Sequence, residues 1–334
     1  MGTHRHGAIP KLREVFANDF LIGAAVNPKT IVSSAELLAD QYNSITAENE
    51  MKFESVHPEE NRYTFEEADQ LVAFARAHGM KMRGHTLVWH NQSSDWLFAG
   101  ENGGLTNKET LFARLEAHID TVIGRYKNDI YCWDVVNEAV ADEGSELLRD
   151  SKWLQIAGDE FIPVAFELAH KADPKALLFY NDYNESNPVK REKIYTLVKS
   201  LLDRGTPIHG VGLQAHWNLF DPHLDEIRAA IERYATLGLT LQITEMDVSV
   251  FAFEDHRTDL SAPTETMLNV QARRYERFFD LFREYRDNIS GVTFWGVDNG
   301  YTWLSGFPVR NRKNWPLLFD ENHQPTESFW SVVK

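Results

Sequence analysis

Leu239-Thr240-Leu241-Gln242-Ile243-Thr244-Glu245-Met246-Asp247-Val248 reads as a short buried strand that ends on an acid. Leucine, isoleucine, threonine and valine suit a pleated, buried element. A carboxylate at the end of such a strand is costly unless it is paired or used. A second stretch has the same form: Ile130-Tyr131-Cys132-Trp133-Asp134-Val135-Val136-Asn137-Glu138. Two apolar strands, each closing on Glu, are what two-carboxylate sugar chemistry needs.

Working outward, short apolar runs alternate with longer amphipathic ones. Strands are expected to begin near Leu21, Ser44, Lys81, Ile130, Ala176, Gly210, Thr240 and Gly291. Between them, Glu66 to His78 puts Ala68, Leu71, Val72 and Ala75 on one helical face, with Thr64 and Glu67 at capping-box spacing and Gly79 at the stop. Thr106 with Glu109 is expected to start a helix running to Tyr126. Asp221-Pro222 is expected to open another, closed by Gly238, and Asn187-Pro188 a further one. Eight strand–helix units in one chain predict a parallel sheet closed into a (β/α)₈ TIM barrel of the α/β class. An open doubly wound sheet would show a Gly-rich phosphate loop after its first strand, and Leu21 to Pro28 holds one glycine. The expected organisation is a single catalytic domain over 1–334 with a loose N-terminus at 1–10. No carbohydrate-binding module is expected.

Composition narrows the partners. The net charge of −16 repels nucleic acid and anionic membranes, so a neutral substrate is expected, with no nucleic-acid or membrane partner. No apolar run reaches the ~20 residues of a membrane span. Met1 to Pro10 lacks the apolar core of a secretory signal, which predicts a cytoplasmic protein unless a signal was removed. Cys132, the only cysteine, is expected to be a buried hydrophobe. His4-Arg5-His6 is too short to read as a metal site. Nine tryptophans supply either core volume or flat faces that stack on sugars.

In a barrel, reactive groups gather at the C-terminal strand ends. Those ends read Thr46 to Lys52, Gly84 to His90, Asn137-Glu138, Tyr180 to Asn184, Gln214 to Trp217, Glu245 to Asp247 and Phe294 to Gly296. Nearly every strand finishes in polar or aromatic residues. Strands four and seven face each other across a barrel mouth, so Glu138 and Glu245 are expected to converge. Glu245 would be the ionised nucleophile, with His216 donating to it and Asp247 orienting that His. Glu138 would begin protonated, its pKa raised by the charge of Glu245, and then act as base. Asn137 is placed to bond a sugar 2-hydroxyl. His85 and His90 flank Trp89 without His-Glu-x-x-His spacing, so neither a metal nor any cofactor is expected; His85 reads as a hydroxyl or carboxylate partner. Asp134 should be paired, with His85 as the candidate. Asp129 and Glu143 read as solvated loop charges. His118, His170 and His209 carry no assigned role.

These motifs together resemble glycoside hydrolase family 10, the endo-β-1,4-xylanases. The likeness rests on Trp133 to Glu138, Ile243 to Asp247, Thr46 to Lys52 and Gly84 to His90, and runs from about Phe20 to Trp330. It implies a retaining double displacement on xylan or xylo-oligosaccharides, with Glu138 as acid/base, Glu245 as nucleophile and the short carboxylate spacing. By the same likeness Glu48, Asn49 and Lys52 bind xylose on the non-reducing side. His85, Trp89, Asn137, Gln214 and His216 surround the cleaved sugar, and Trp295 and Trp303 wall it. Tyr183 and Asn184 fall in a stretch facing the reducing-side subsites. Asp298-Asn299 stands where the family commonly reads Thr-Asp, and Met246 where Leu is common. The stretch from Arg310 to Asp320 looks like the compact intracellular bacterial branch. Two other readings stay open: another retaining two-Glu barrel β-glycosidase of cellulase or mannanase type, and a catalytically inactive sugar-binding barrel.

Overall fold

The computed structural model describes residues 8–334. Nine strands form one sheet: β1 Leu21–Val26, β2 Ser44–Ala47, β3 Lys81–Val88, β4 Ile130–Asn137, β5 Leu177–Asp182, β6 Gly210–Leu213, β7 His216–Asn218, β8 Thr240–Ser249 and β9 Ile289–Phe294. All the pairings are parallel. The sheet closes because β1 pairs with β9 and β6 pairs with β8. β7 continues the sixth position beyond β6 and pairs with the far half of β8, matching His216 to Asp247. The result is the expected eight-position barrel, with helices packed between and outside the strands.

The helix at Glu66–Ala77 buries Ala68, Leu71, Val72 and Ala75, as the periodicity requires. Its start differs from the reading. Thr64 does not cap it: the Thr64 hydroxyl donates to the Ser55 carbonyl at 2.5 Å instead. The helix to Tyr126 begins at Lys108, and Asn107, not Thr106, accepts the Thr110 N–H. Pro222 lies ahead of its helix, which runs Leu224–Ala235 behind His223, whose N–H donates to Glu226. Asn187 caps Pro188–Asp203 as expected. Asp129 is not simply solvated; the Arg76 guanidinium holds it at 2.8 Å. The expected loose terminus lies mostly outside the described residues, His4-Arg5-His6 among them. Pro10 is tied down, its carbonyl accepting from Gln41. Cys132 is buried and unpaired.

The outer face of the barrel is apolar, with Phe278, Phe279 and Phe282 closing on Trp217 and Phe294. The interior is not. Arg83, 1% exposed, reaches Asp134 and Gln242, and Gln242 also donates to Tyr131. Burying such a charge demands a paired acid and a partner for each guanidinium nitrogen, and both are present. Space for polar side chains comes from small residues. A Cβ on Gly212 would stand 2.3 Å from Asn181 Oδ1, so glycine at that position lets Asn181 cross the barrel. Among the described residues no helix is long and apolar enough to cross a membrane.

Candidate active site

The strand ends converge as the barrel predicts. Glu138 follows β4 and Glu245 lies within β8, whose later residues rise to meet β7. Glu138 Oε1 accepts the Trp89 indole N–H at 3.0 Å, and Oε2 accepts Gln214 Nε2 at 2.8 Å. Gln214 Nε2 also donates to Asn137 Oδ1 at 3.2 Å. Asn181 Nδ2 then donates both to Asn137 Oδ1 and to Glu245 Oε2, at 3.0 and 2.8 Å. The two carboxylates are thus tied into one amide network. Thr244 fixes the sense of the Asn181 amide by donating to its Oδ1 at 2.6 Å.

His216 stands between two acids: Nε2 donates to Glu245 Oε1 at 3.0 Å and Nδ1 donates to Asp247 Oδ1 at 2.9 Å. Burial opposes its charge, but Asp247 and Glu245 outweigh burial and raise its pKa well above the ordinary histidine value. An imidazolium results, which is why both ring nitrogens can donate. Burial would lift Glu245, yet the His216 hydrogen bond and the charges of His85 and His216 bring it below the ordinary carboxylate value. Trp303 Nε1 holds the second oxygen of Asp247 at 2.8 Å.

Glu138 moves the opposite way. Burial raises it first, then the charge of Asp182, with Glu245 a smaller contribution; the donors Gln214 and Trp89 oppose. The sequence reading named only Glu245 as the cause. Asp182 was out of its reach because its side chain comes close through the β4–β5 pairing.

His85 bonds Asp134 through Nδ1 at 2.8 Å and brings Nε2 to 4.0 Å from Glu245. The expected Asp134–His85 pair is present. Trp295 meets both His85 and His216 edge-on, at 5.4 and 6.4 Å. On the β2 side, Lys52 Nζ donates to Asn49 Oδ1 at 2.7 Å and lies 4.9 Å above the Trp89 ring. Glu48 receives Asn27 Nδ2 at 3.4 Å, and burial pushes it to about 7 despite that donor. Burial likewise lowers Lys52 against the pull of Glu245 and Glu48.

Tyr183 and Asn184 make no hydrogen bond to either central carboxylate. Tyr183 donates to Asp142, accepts from Arg149 and lies 3.6 Å from Lys190 Nζ, while Asn184 is exposed with φ +50°. Asp298 takes a structural position, accepting from Ser34 Oγ and the Gly300 amide near His323. Met246 is fully buried. Among the described residues no three His, Cys, Asp or Glu side chains could share a metal ion. His118 and His209 hold structural hydrogen bonds, to His57 and to the Leu178 amide.

The reading from sequence missed Asn181, Arg83, Gln92 and Glu185. Asn181 lies in a strand end, and Gln92, whose Oε1 accepts from Lys52 Nζ at 3.3 Å, lies just beyond another, so a polar residue there was a usable signal. Glu185 accepts the Ala215 amide at 2.6 Å, steadying the left-handed turn that separates β6 from β7.

The profile of the family described as glycosyl hydrolase family 10 matches residues 11–334. An endo-1,4-beta-xylanase of Geobacillus stearothermophilus is 62% identical over 327 residues, covering 98% of both chains. Endo-1,4-beta-xylanase B of Paenibacillus barcinonensis is 58% identical, covering 97% of this chain and 98% of its own. The crystal structure of a Paenibacillus barcinonensis xylanase, solved with a conduramine derivative, superposes with a TM-score of 0.96 at 58% identity. It covers 97% of this chain and 98% of its own.

Proposed function

Because the chain belongs to glycosyl hydrolase family 10 and is a glycoside hydrolase of the endo-1,4-β-xylanase kind, we propose that it cuts β-1,4-xylosidic bonds of xylan and xylo-oligosaccharides by a retaining double displacement. The observation that carries the mechanism is the opposite bias of two carboxylates in one amide network. Glu245 is held ionised by His216, and Glu138 is held towards its protonated form by burial and Asp182. Environments that separate two carboxyls in this way assign base and acid.

In the first step Glu245 attacks the anomeric carbon, and the bond to the leaving oxygen breaks as Glu138 protonates that oxygen. An α-glycosyl ester forms on Glu245. Its charge is then gone, so Glu138, now ionised, takes a proton from water, and that water displaces Glu245 to release the β-anomer. His216 takes the orienting role, with Asp247 and Trp303 fixing it from behind. Asn137 is the candidate partner of the 2-hydroxyl. Glu48, Asn49 and Lys52 are assigned to the non-reducing-side sugar, where Lys52 above Trp89 joins that platform to the acid/base. Trp295 and Trp303 are the assigned walls, and Tyr183 and Asn184 are assigned to the reducing side.

Proton NMR during hydrolysis of xylotetraose tests the mechanism. The first-formed new reducing end should be the β-anomer. An α-anomer would mean inversion and a longer carboxylate spacing, about 6.5–9.5 Å. A cytoplasmic role on imported xylo-oligosaccharides is a further part of the proposal, and detection of the native protein outside intact cells would overturn it.

A further inference from the structure

Glu138 does not end a regular strand. Its φ is +57°, in the left-handed region that residues with a Cβ seldom occupy. The backbone around it is held on both sides. The Glu138 N–H donates to the Asn181 carbonyl at 2.9 Å, and its carbonyl accepts Arg149 Nε at 3.0 Å. The next two amides, of Ala139 and Val140, both donate to one atom, the Tyr180 hydroxyl, each at 3.1 Å.

That hydroxyl has no freedom left. A phenol carries one proton and two lone pairs. The lone pairs take the two amides, and the proton goes to Asp182 Oδ2 at 2.5 Å. Asp182 is held in turn by Lys190 and by the Tyr183 amide, at 2.9 and 2.8 Å. Tyr180 is fully buried, and phenylalanine would fill the same volume. The oxygen therefore needs a reason of its own, and two of the three bonds it makes lead to the segment that carries Glu138, while the third, to Asp182, fixes the hydroxyl that receives them.

We propose that Tyr180 and Arg149 form a backbone clamp, positioning residues that aim the Glu138 carboxyl at the leaving-group oxygen. This rests on the double displacement with Glu138 as acid/base. Protonation of the leaving group matters for a basic alkoxide or phenolate and hardly at all for 2,4-dinitrophenolate. Loosening the clamp should cost rate in proportion to leaving-group basicity, whereas general damage should slow all substrates alike.

The test is kcat/KM for a series of aryl β-xylobiosides and for xylotetraose, since kcat/KM reports only the steps through first bond cleavage. For Tyr180→Phe, the dinitrophenyl substrate should stay within about threefold of wild type. Phenyl xylobioside and xylotetraose should fall by about 30-fold or more, a large part of the ~10²–10⁴ that a positioned acid supplies. Arg149→Met should show the same tilt, and it carries the test by itself if Tyr180→Phe does not fold. Glu138→Ala is the reference and must be steep. A flat line for Glu138→Ala would bring down the acid/base assignment and the clamp with it. A steep reference beside clamp variants that lose nothing, or that lose equally on every leaving group, overturns the clamp alone.

Discussion

Arg83 grips Asp134 through two parallel hydrogen bonds of 2.9 and 2.7 Å in the barrel interior, both side chains 1% exposed. The pair has a use beyond its own energy. Asp134 Oδ2 also receives His85 Nδ1, so the guanidinium sets the carboxylate that sets the imidazole facing Glu245. Burial would raise Asp134, but Arg83 and His85 reverse this and hold it at about 2. A group depressed in the folded state gives stability that is present above its unfolded value and lost as pH falls through the folded one.

Asp134→Asn leaves the Arg83 charge buried and without its counter-ion. The expected loss is about 3–5 kcal/mol of unfolding free energy, measured by urea denaturation at neutral pH. The double variant Arg83→Met with Asp134→Leu should regain much of that stability, because no charge is then stranded. It should still lose activity, since His85 has lost its orienter. A double variant as unstable as the single one would show that shape, not charge, dominates this interior.

The rate profile should be bell-shaped in pH. Glu245 lies below its ordinary value and must be ionised, so kcat/KM rises as pH climbs through it. Glu138 lies above its ordinary value and must be protonated, so kcat/KM falls as pH climbs through it. In Glu245→Gln, the Glu138 carboxyl should titrate lower than in wild type yet still above an unperturbed glutamate, because burial and Asp182 remain. Carbon-13 NMR of labelled glutamate reads this directly. A full return to the ordinary value would assign the whole effect to Glu245.

Much of the barrel was legible because strands and strand ends are local patterns. The apolar runs at Leu21, Ser44, Lys81, Ile130, Gly210 and Thr240 are strand starts in the structure, and those at Ala176 and Gly291 lie within two residues of one. Helix starts were less legible. Thr64 and Asn107 both have cap chemistry, and which one caps depends on whether a tertiary acceptor, here the Ser55 carbonyl, competes. Glu138 and Glu245, and His216 with Asp247, follow or close apolar strand-like runs in the sequence and could be read. The partners of Arg83 and Asn181 could not, because they lie 159 and 64 residues away across the barrel. Nothing in β3 or β5 alone announces them.

His57 and His118 supply an acid-sensitive joint behind the Lys52 platform. His57 Nε2 donates to the Glu60 carbonyl at 2.9 Å, so its Nδ1 is a lone pair in the neutral ring. His118 Nδ1 must then be the donor across the 3.0 Å contact, and its Nε2 is buried without a partner. Protonating His57 would set two N–H groups head to head, and protonating His118 would bury a bare N–H. Burial lowers both pKa values from 6.5, and for His118 the neighbouring His57 adds to it. The unfolded chain binds protons that the folded one refuses, so stability is full above about 6.5 and declines as pH falls towards the folded values. His118→Asn keeps a donor to His57 and removes one titrating ring. It should flatten the decline by up to ~1.4 kcal/mol per pH unit, from urea midpoints between pH 7.5 and 5. An unchanged slope would remove the pair from the acid response.

Trp303 makes two kinds of contact that can be separated. Its indole N–H holds Asp247, its ring meets His216 at 4.9 Å, and Phe307 stacks behind it at 4.9 Å and 14°. As a wall beside the cleaved sugar it would exclude the extra hydroxymethyl group that distinguishes glucose from xylose. A small group in a pocket is worth about 1–3 kcal/mol. Trp303→Ala should therefore cut the ratio of kcat/KM for aryl xylobioside over aryl cellobioside by about 10–200-fold. Trp303→Phe keeps a ring there and drops the hydrogen bond to Asp247. It should preserve most of the ratio while lowering both rates, because the His216 relay loses its outer support. If the phenylalanine variant loses selectivity as fully as the alanine one, the indole acts through Asp247 and not as a wall, and discrimination between the sugars lies elsewhere in the cleft.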